Sequence, residues 1–125
     1  MTPYYSDDAV TIYHGDCREI LPKLPRSDLL LTDPPYGIFA CGGDRGGHRD
    51  RKAREALLEW DRQPVIDLVR DLLPVARAAI VWGGNYYAFP PSRGWLVWWK
   101  PDSVPSAADV ELAWTSFDMN ARMLR

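Results

Sequence analysis

The chain of 125 residues has little of what several classes of protein require. It contains two cysteines, Cys17 and Cys41, which are too few for a disulfide framework and favour a reducing compartment. Neither of its two histidines has cysteine or carboxylate partners at ligand spacing, so the sequence predicts no metal site. No apolar run reaches the length of a membrane span, and the first residues lack the pattern of a signal peptide. Together these absences predict a cytoplasmic protein.

Positive charge is also scarce over the chain as a whole. The sequence has 15 lysines and arginines against 17 acidic residues, a formal net charge of −2, whereas a nucleic-acid binder usually has a basic face. One glycine-containing stretch, residues 37–60, is nevertheless strongly basic, and we expect it to be a mobile loop that contacts phosphates. The candidate DNA-binding residues in it are Arg45, Arg49, Arg51, Lys52 and Arg54. A solvated surface loop is the alternative interpretation.

The most informative stretch is a short apolar segment that ends in Asp33, Pro34, Pro35 and Tyr36. Its apolar part, residues 28–32, predicts a strand buried on both faces, as in parallel sheets. Because prolines have no backbone N–H, the strand should stop at Asp33. Ligands bind beside the carboxyl ends of strands in open α/β sheets, so this end is a candidate binding site.

The residue types at this strand end suit a planar ring that bears an amino group. An ionised Asp33 and the fixed carbonyl of Pro34 are both hydrogen-bond acceptors, and an amino group offers two N–H donors. Tyr36 offers a flat face on which a ring can stack. The alternative interpretation is a strand followed by a proline-stiffened turn with a capping aspartate.

Strand and helix signals alternate around this stretch and predict a single α/β domain over residues 1–125. The lead-in of residues 1–8 shows no regular pattern, Asp16 can cap a short helix, and Pro74 should kink or end a longer one. The predicted strands are residues 10–13, 28–32, 79–82, 95–99 (buried) and 110–114 (half-exposed). The predicted helices are a short one after Asp16, residues 61–77 and residues 85–89, and the tail from residue 118 has no clear signal.

The tetrapeptide from Asp33 to Tyr36 resembles the catalytic motif of the DNA amino-methyltransferases, which methylate N6 of adenine or N4 of cytosine. The similarity covers nearly the whole chain and is to the branch whose catalytic motif comes first, including phage-type members. The other segments that are similar are His14–Cys17, Trp82–Tyr86, Arg93–Trp98 with Lys100, and Glu111–Phe117.

The resemblance implies the partial Rossmann-like fold of an S-adenosylmethionine-dependent methyltransferase, with a mostly parallel sheet and flanking helices. It implies methyl transfer from this cofactor to N6 of an adenine flipped out of DNA. The catalytic residues would be Asp33, Pro34, Pro35 and Tyr36, and the cofactor would contact Asp16, Cys17, Asp33 and Pro34. There are two alternatives for the function, namely methylation of cytosine N4 and a remnant that binds DNA without catalysis. For Asp16 the alternative is that it serves only as a helix cap.

The chain departs from the family in one respect. Complete members of the branch carry a second segment with an Asp-Pro-Phe-x-Gly-x-Gly stretch for the methionine part of the cofactor, and this sequence has no such stretch. We therefore expect the catalytic half alone, either truncated or completed by a partner segment. An exposed sheet edge left by the missing half would favour self-association.

Overall fold

The computed structural model describes residues 1–37, 66–101 and 108–125, which form an α/β structure. A small antiparallel hairpin joins β1 (Tyr5–Ser6) to β2 (Thr11–Ile12). The helices are α1 (Cys17–Ile20) and α2 (Ile66–Leu72), and short 3-10 turns lie at Leu21–Lys23, Leu73–Val75 and Gly84–Tyr86. The strands of the main sheet are β3 (Ser27–Thr32), β4 (Ala76–Trp82), β5 (Trp95–Trp99), β6 (Val110–Thr115) and β7 (Arg122–Leu124). No helix within these ranges is long and apolar enough to cross a membrane.

The main sheet has the strand order β3-β4-β6-β5-β7 and is mixed. β3 pairs with β4 in parallel and β5 pairs with β7 in parallel, whereas β6 runs antiparallel to both β4 and β5. The α/β class is confirmed, but the prediction of a mostly parallel sheet is wrong, because only two of the four pairings described in the main sheet are parallel. The link from β5 to β6 is too short for a crossover helix, so these neighbours form an antiparallel pair.

The hydrophobic core lies on one face of this sheet. Its buried members come from α2, β4, β6 and the segment after β4, and they are Val69, Ala79, Val81, Tyr87 and Trp114. Leu30, Tyr36, Leu73, Phe89 and Trp95 pack around them with partial exposure. Alternate residues of each strand face this layer, as the pleat requires, so Leu30 lies beside Ala79 and Val81 lies beside Trp114.

Two strands are more exposed than predicted. On β3, Leu29 is 43% exposed and Leu31 is 62% exposed, while Leu30 packs against the core. β3 is an edge strand of the described sheet, and its second face points away from the core, so the prediction of burial on both faces is wrong. On β5, Trp98 and Trp99 are 44% and 39% exposed, so that strand is not buried either.

The boundaries of several elements also differ from the prediction. The lead-in contains β1, and the tail contains β7. α2 ends at Leu72, because Pro74 interrupts the helix as predicted, and β4 begins at Ala76 where the sequence predicted that the helix continued. The predicted start of that helix lies outside the described residues. The short helix predicted at residues 85–89 is the 3-10 turn Gly84–Tyr86.

Asp16 caps α1, as its position in the sequence predicts. Its Oδ1 accepts a hydrogen bond from the backbone N–H of Arg18 at 2.9 Å, which satisfies one of the unpaired donors of the first turn. The Arg18 guanidinium donates to both carboxylate oxygens as well. Hydrogen bonds from Arg18 lower the pKa of the Asp16 carboxyl from 3.8 to about 2.

We expect the contribution of Asp16 to stability to be pH-dependent. Because its pKa is lower in the folded chain, the contribution is present above about pH 4 and is lost as the pH falls toward 2. A carboxyl ¹³C NMR titration should place the midpoint of Asp16 near 2. In an Arg18→Ala variant the midpoint should move up toward the ordinary value. An equal midpoint in both proteins would contradict the assigned cause.

Gly94 sits where β5 meets β6, and it has no room for a side chain. A Cβ atom there would lie 2.3 Å from Thr115 Oγ1 and 2.4 Å from the carbonyl oxygen of Phe117. We expect Gly94→Ala to lower the free energy of unfolding by about 1–3 kcal/mol, because the backbone must shift to relieve this overlap. Denaturant titration followed by circular dichroism measures the change. The control is Ala88→Val at an exposed position, and a Gly94→Ala protein as stable as that control would refute the close approach.

Candidate active site

The parallel pairing of β3 with β4 brings two chain segments to one edge of the sheet. Thr32 lies beside Val81 near the carboxyl ends of the two strands. The segment from Asp33 to Tyr36 follows β3, and the segment from Gly83 to Tyr87 follows β4. Both segments therefore leave the sheet at the edge where α/β proteins bind ligands.

Asp33 and Tyr36 contact each other at this edge. The Tyr36 hydroxyl donates a hydrogen bond to the Asp33 carboxylate, and Asp33 is itself exposed to solvent. Burial of the Tyr36 side chain, with a smaller contribution from this bond, raises the pKa of its phenol well above the ordinary value. The phenol therefore stays protonated and remains a donor. The carboxylate is accessible to a further donor from outside the chain.

The two proline carbonyls of the motif have different surroundings. The carbonyl of Pro35 accepts a hydrogen bond from the hydroxyl of Tyr87 at 2.7 Å, and Tyr87 is a buried member of the core. This bond ties the turn after β3 to the segment after β4. Within the part of the chain that the structure describes, the Pro34 carbonyl accepts no hydrogen bond, so it is the acceptor that an external amino group can use.

The Tyr36 ring lies in a cluster of aromatic side chains. It stacks on Tyr86 with 5.1 Å between ring centroids and 23° between planes. Tyr87 meets it edge-on at 6.5 Å. Tyr87 is buried, whereas Tyr86 is 42% exposed. The ring is thus held from within the fold and covered from the solvent side by a second tyrosine.

Gly83 allows the Tyr36 ring to approach the backbone after β4. A Cβ atom at Gly83 would lie 2.0 Å from Cε1 of Tyr36, so there is no space for a side chain at this position. The residue also has a φ of 66°, in the left-handed region that favours glycine. Both the turn after β4 and the position of the Tyr36 ring therefore require glycine at this position.

An apolar cavity of about 690 Å³ is lined in part by Tyr87. Its walls include Trp95 and Trp114, and both indole N–H groups are already used, donating to the carbonyls of Ser92 and Pro90. Asn85 and Ser92 also line it, and the Ser92 hydroxyl is already bonded to the backbone, so no carboxylate is among its described lining residues. The Asp33 edge offers a carboxylate and an unused carbonyl, so we assign the candidate site to that edge.

The predicted cofactor residues Asp16 and Cys17 lie at the start of α1. The polar contacts of the Asp16 carboxylate are local, made with the backbone and side chain of Arg18, and Cys17 is a half-buried free thiol. No hydrogen bond or ion pair among the described residues joins either of them to Asp33. The structure thus shows Asp33 and Tyr36 in contact and gives Asp16 a local capping role, while the contact of Asp16 and Cys17 with a cofactor stays a prediction.

The predicted DNA-binding residues belong to the basic stretch of residues 37–60. Arg45, Arg49, Arg51, Lys52 and Arg54 lie outside the described residues. Their role remains a prediction from the sequence.

The residues that surround Tyr36 are Gly83, Tyr86 and Tyr87, and the sequence predicted a site role for none of them, although the segment Trp82–Tyr86 was one of those similar to the family. The signal for them was present, because a Gly-Gly-Asn-Tyr-Tyr segment directly follows a predicted strand parallel to β3. Two parallel neighbours end at the same edge, so residues that follow one should contact residues that follow the other.

Parts of the chain are similar to type II methyltransferases. Over 38 residues, or 29% of this chain, it is 47% identical to the type II methyltransferase M.ScaI of Streptomyces caespitosus. Over 74 residues, or 58% of the chain, it is 27% identical to the type II methyltransferase M.BamHI of Bacillus amyloliquefaciens. The matched segments span 12% and 17% of those two proteins. No family model and no solved structure matches the chain. This partial similarity to type II methyltransferases agrees with the resemblance of the motif around Asp33.

Proposed function

We propose that the chain is the part of a DNA amino-methyltransferase that holds the target base. Its partial similarity to type II methyltransferases supports the reaction class. The observation that carries the proposal is the solvent-exposed carboxylate of Asp33 at the carboxyl edge of the sheet, directly beside the held ring of Tyr36. Adenine N6 is the proposed acceptor of the methyl group, and cytosine N4 is the alternative, since both are exocyclic amino groups with two N–H donors.

The residues at the edge would act by orientation. One N–H of the amino group donates to the Asp33 carboxylate and the other to the Pro34 carbonyl, while the base lies flat on Tyr36. Two fixed acceptors favour a more tetrahedral nitrogen, whose lone pair is then less delocalised into the ring and more nucleophilic. Preorganised polar groups of this kind provide much of the acceleration in enzymes.

S-adenosylmethionine would supply a methyl group on an electrophilic sulfonium. The Asp16 carboxylate is taken up by Arg18, and no hydrogen bond among the described residues connects α1 to the Asp33 edge. We therefore propose that other residues complete the cofactor site, either from the parts of the chain outside the described ranges or from a partner segment. The exposed leucines of β3, Leu29 and Leu31, support this, because a packed neighbour would cover them.

The proposed substrate is a base flipped out of DNA, because enzymes that modify a base take it out of the stacked duplex. The basic residues between Arg45 and Arg54 would contact the phosphates on either side. We further propose a cytoplasmic location, which the low cysteine content favours.

Replacing Asp33 tests the proposal. Asp33→Ala should lower methyl transfer by about 100-fold or more, because it removes a fixed acceptor from the amino group. The assay incubates the protein with unmethylated genomic DNA and S-adenosylmethionine. Mass spectrometry of the released nucleosides then distinguishes N6-methyladenine from N4-methylcytosine.

Asp28→Ala is the matched control, since Asp28 is on the same strand, with its side chain 90% exposed and in an ion pair with Arg77. It should retain the wild-type rate. Equal activity in the Asp33 and Asp28 variants would rule out the proposed role of Asp33. A folded wild-type chain that forms neither product would rule out autonomous catalysis and leave the requirement for a partner segment to be tested by adding one.

A further inference from the structure

A ring from the chain itself already occupies the stacking face of Tyr36. Tyr86 lies against Tyr36 with 5.1 Å between centroids and a plane angle of 23°. Tyr36 is the residue on which the proposed substrate base would stack. In the structure, therefore, Tyr86 stands where a substrate ring would lie.

The present spacing leaves no room for a third ring between the two tyrosines. Carbon atoms in contact stand about 3.5–4.0 Å apart, so a base enclosed by two rings needs about 7–8 Å between them. The centroids of Tyr36 and Tyr86 are closer than that. One of the two side chains must move before a base can enter.

Tyr86 is the side chain that is able to move. Tyr36 is held by its hydrogen bond to Asp33, by contact with Gly83 and by the edge of Tyr87. Tyr86 is 42% exposed, and its hydroxyl makes no hydrogen bond among the described residues. Rotation of an exposed side chain takes place in picoseconds to nanoseconds.

The backbone beneath Tyr86 is fixed, so the motion is confined to the side chain. The N–H of Gly83 donates to the carbonyl of Leu112 at 2.8 Å. A Cβ atom on Gly84 would lie 2.4 Å from Cβ of Trp114, which shows how closely this turn packs on β6. The turn therefore provides a rigid support from which the Tyr86 ring can swing.

We propose that Tyr86 is a substrate-binding residue that leaves the face of Tyr36 and closes on the opposite face of the target base. The base then lies between two tyrosines, and its amino group lies at Asp33. This inference rests on the proposed function and adds the second stacking surface to the site. When no base is bound, the same ring shields the face of Tyr36 from water.

Fluorescent bases in single-stranded oligonucleotides provide the test. Each oligonucleotide carries 2-aminopurine or, in a parallel series, pyrrolocytosine, and binding is measured by fluorescence titration and anisotropy. Tyr86→Ala should weaken binding about tenfold or more and reduce the quenching of the bound base, because one stacking face is lost. Tyr86→Phe should bind and quench like the wild type, since the ring is retained and the hydroxyl has no role in the stack.

Tyr4→Ala is the matched control, because Tyr4 is 78% exposed and makes its aromatic contact with His14, outside the site. Circular dichroism checks that all variants are folded. If Tyr86→Ala binds as well as the wild type, or more tightly, Tyr86 does not hold the base and the inference fails while the proposed function stands. If the wild type gives no response with either base, the inference fails, whereas the proposed function is decided separately by the methyl-transfer assay with Asp33→Ala.

Discussion

The parallel pairing of β3 with β4 is the constraint on which the candidate site depends. The register that places Thr32 beside Val81 also brings the turn after β3 against the turn after β4. Tyr87 then reaches the carbonyl of Pro35, and Gly83 comes into contact with the Tyr36 ring. Each of these contacts crosses between the two segments, so a slip of the register would separate all of them.

The core supports this arrangement from one side of the sheet. Tyr87 is both a buried core residue and the donor that fixes the turn of the motif, so the packing of the interior is linked directly to the position of Asp33. At the carboxyl edge of the sheet, by contrast, the candidate site faces solvent. Asp33 and Tyr86 are exposed there, which leaves the functional groups free to meet a ligand while the backbone that carries them stays fixed.

The sequence was most informative where chemistry restricts the backbone. The prolines after Asp33 correctly predicted the end of β3, Pro74 correctly predicted the end of α2, and Asp16 correctly predicted a helix cap. Burial was harder to predict, because three consecutive leucines are compatible with a strand covered on both faces or on one. Only the strand order shows that β3 is an edge strand of the described sheet, with Leu29 and Leu31 exposed.

The contacts of Tyr36 illustrate the same limit. Tyr36 and Tyr86 are 50 positions apart in the chain, and they meet because of the register of β3 with β4. No local pattern in the sequence encodes that register. The very short strands β1 and β7 were missed for a related reason, since two or three residues contain too little periodicity to indicate a strand.

The central claim is that Asp33 accepts a hydrogen bond from the amino group of a base stacked on Tyr36. The most direct measurement is NMR of a single-stranded oligonucleotide whose adenine or cytosine amino nitrogen is labelled with ¹⁵N, bound to the folded chain. The account predicts that the amino proton signals shift downfield with the wild type and that this shift is absent with Asp33→Ala. Amino signals that stay unchanged while the aromatic protons of the base move would contradict it, because the base would then stack without using Asp33.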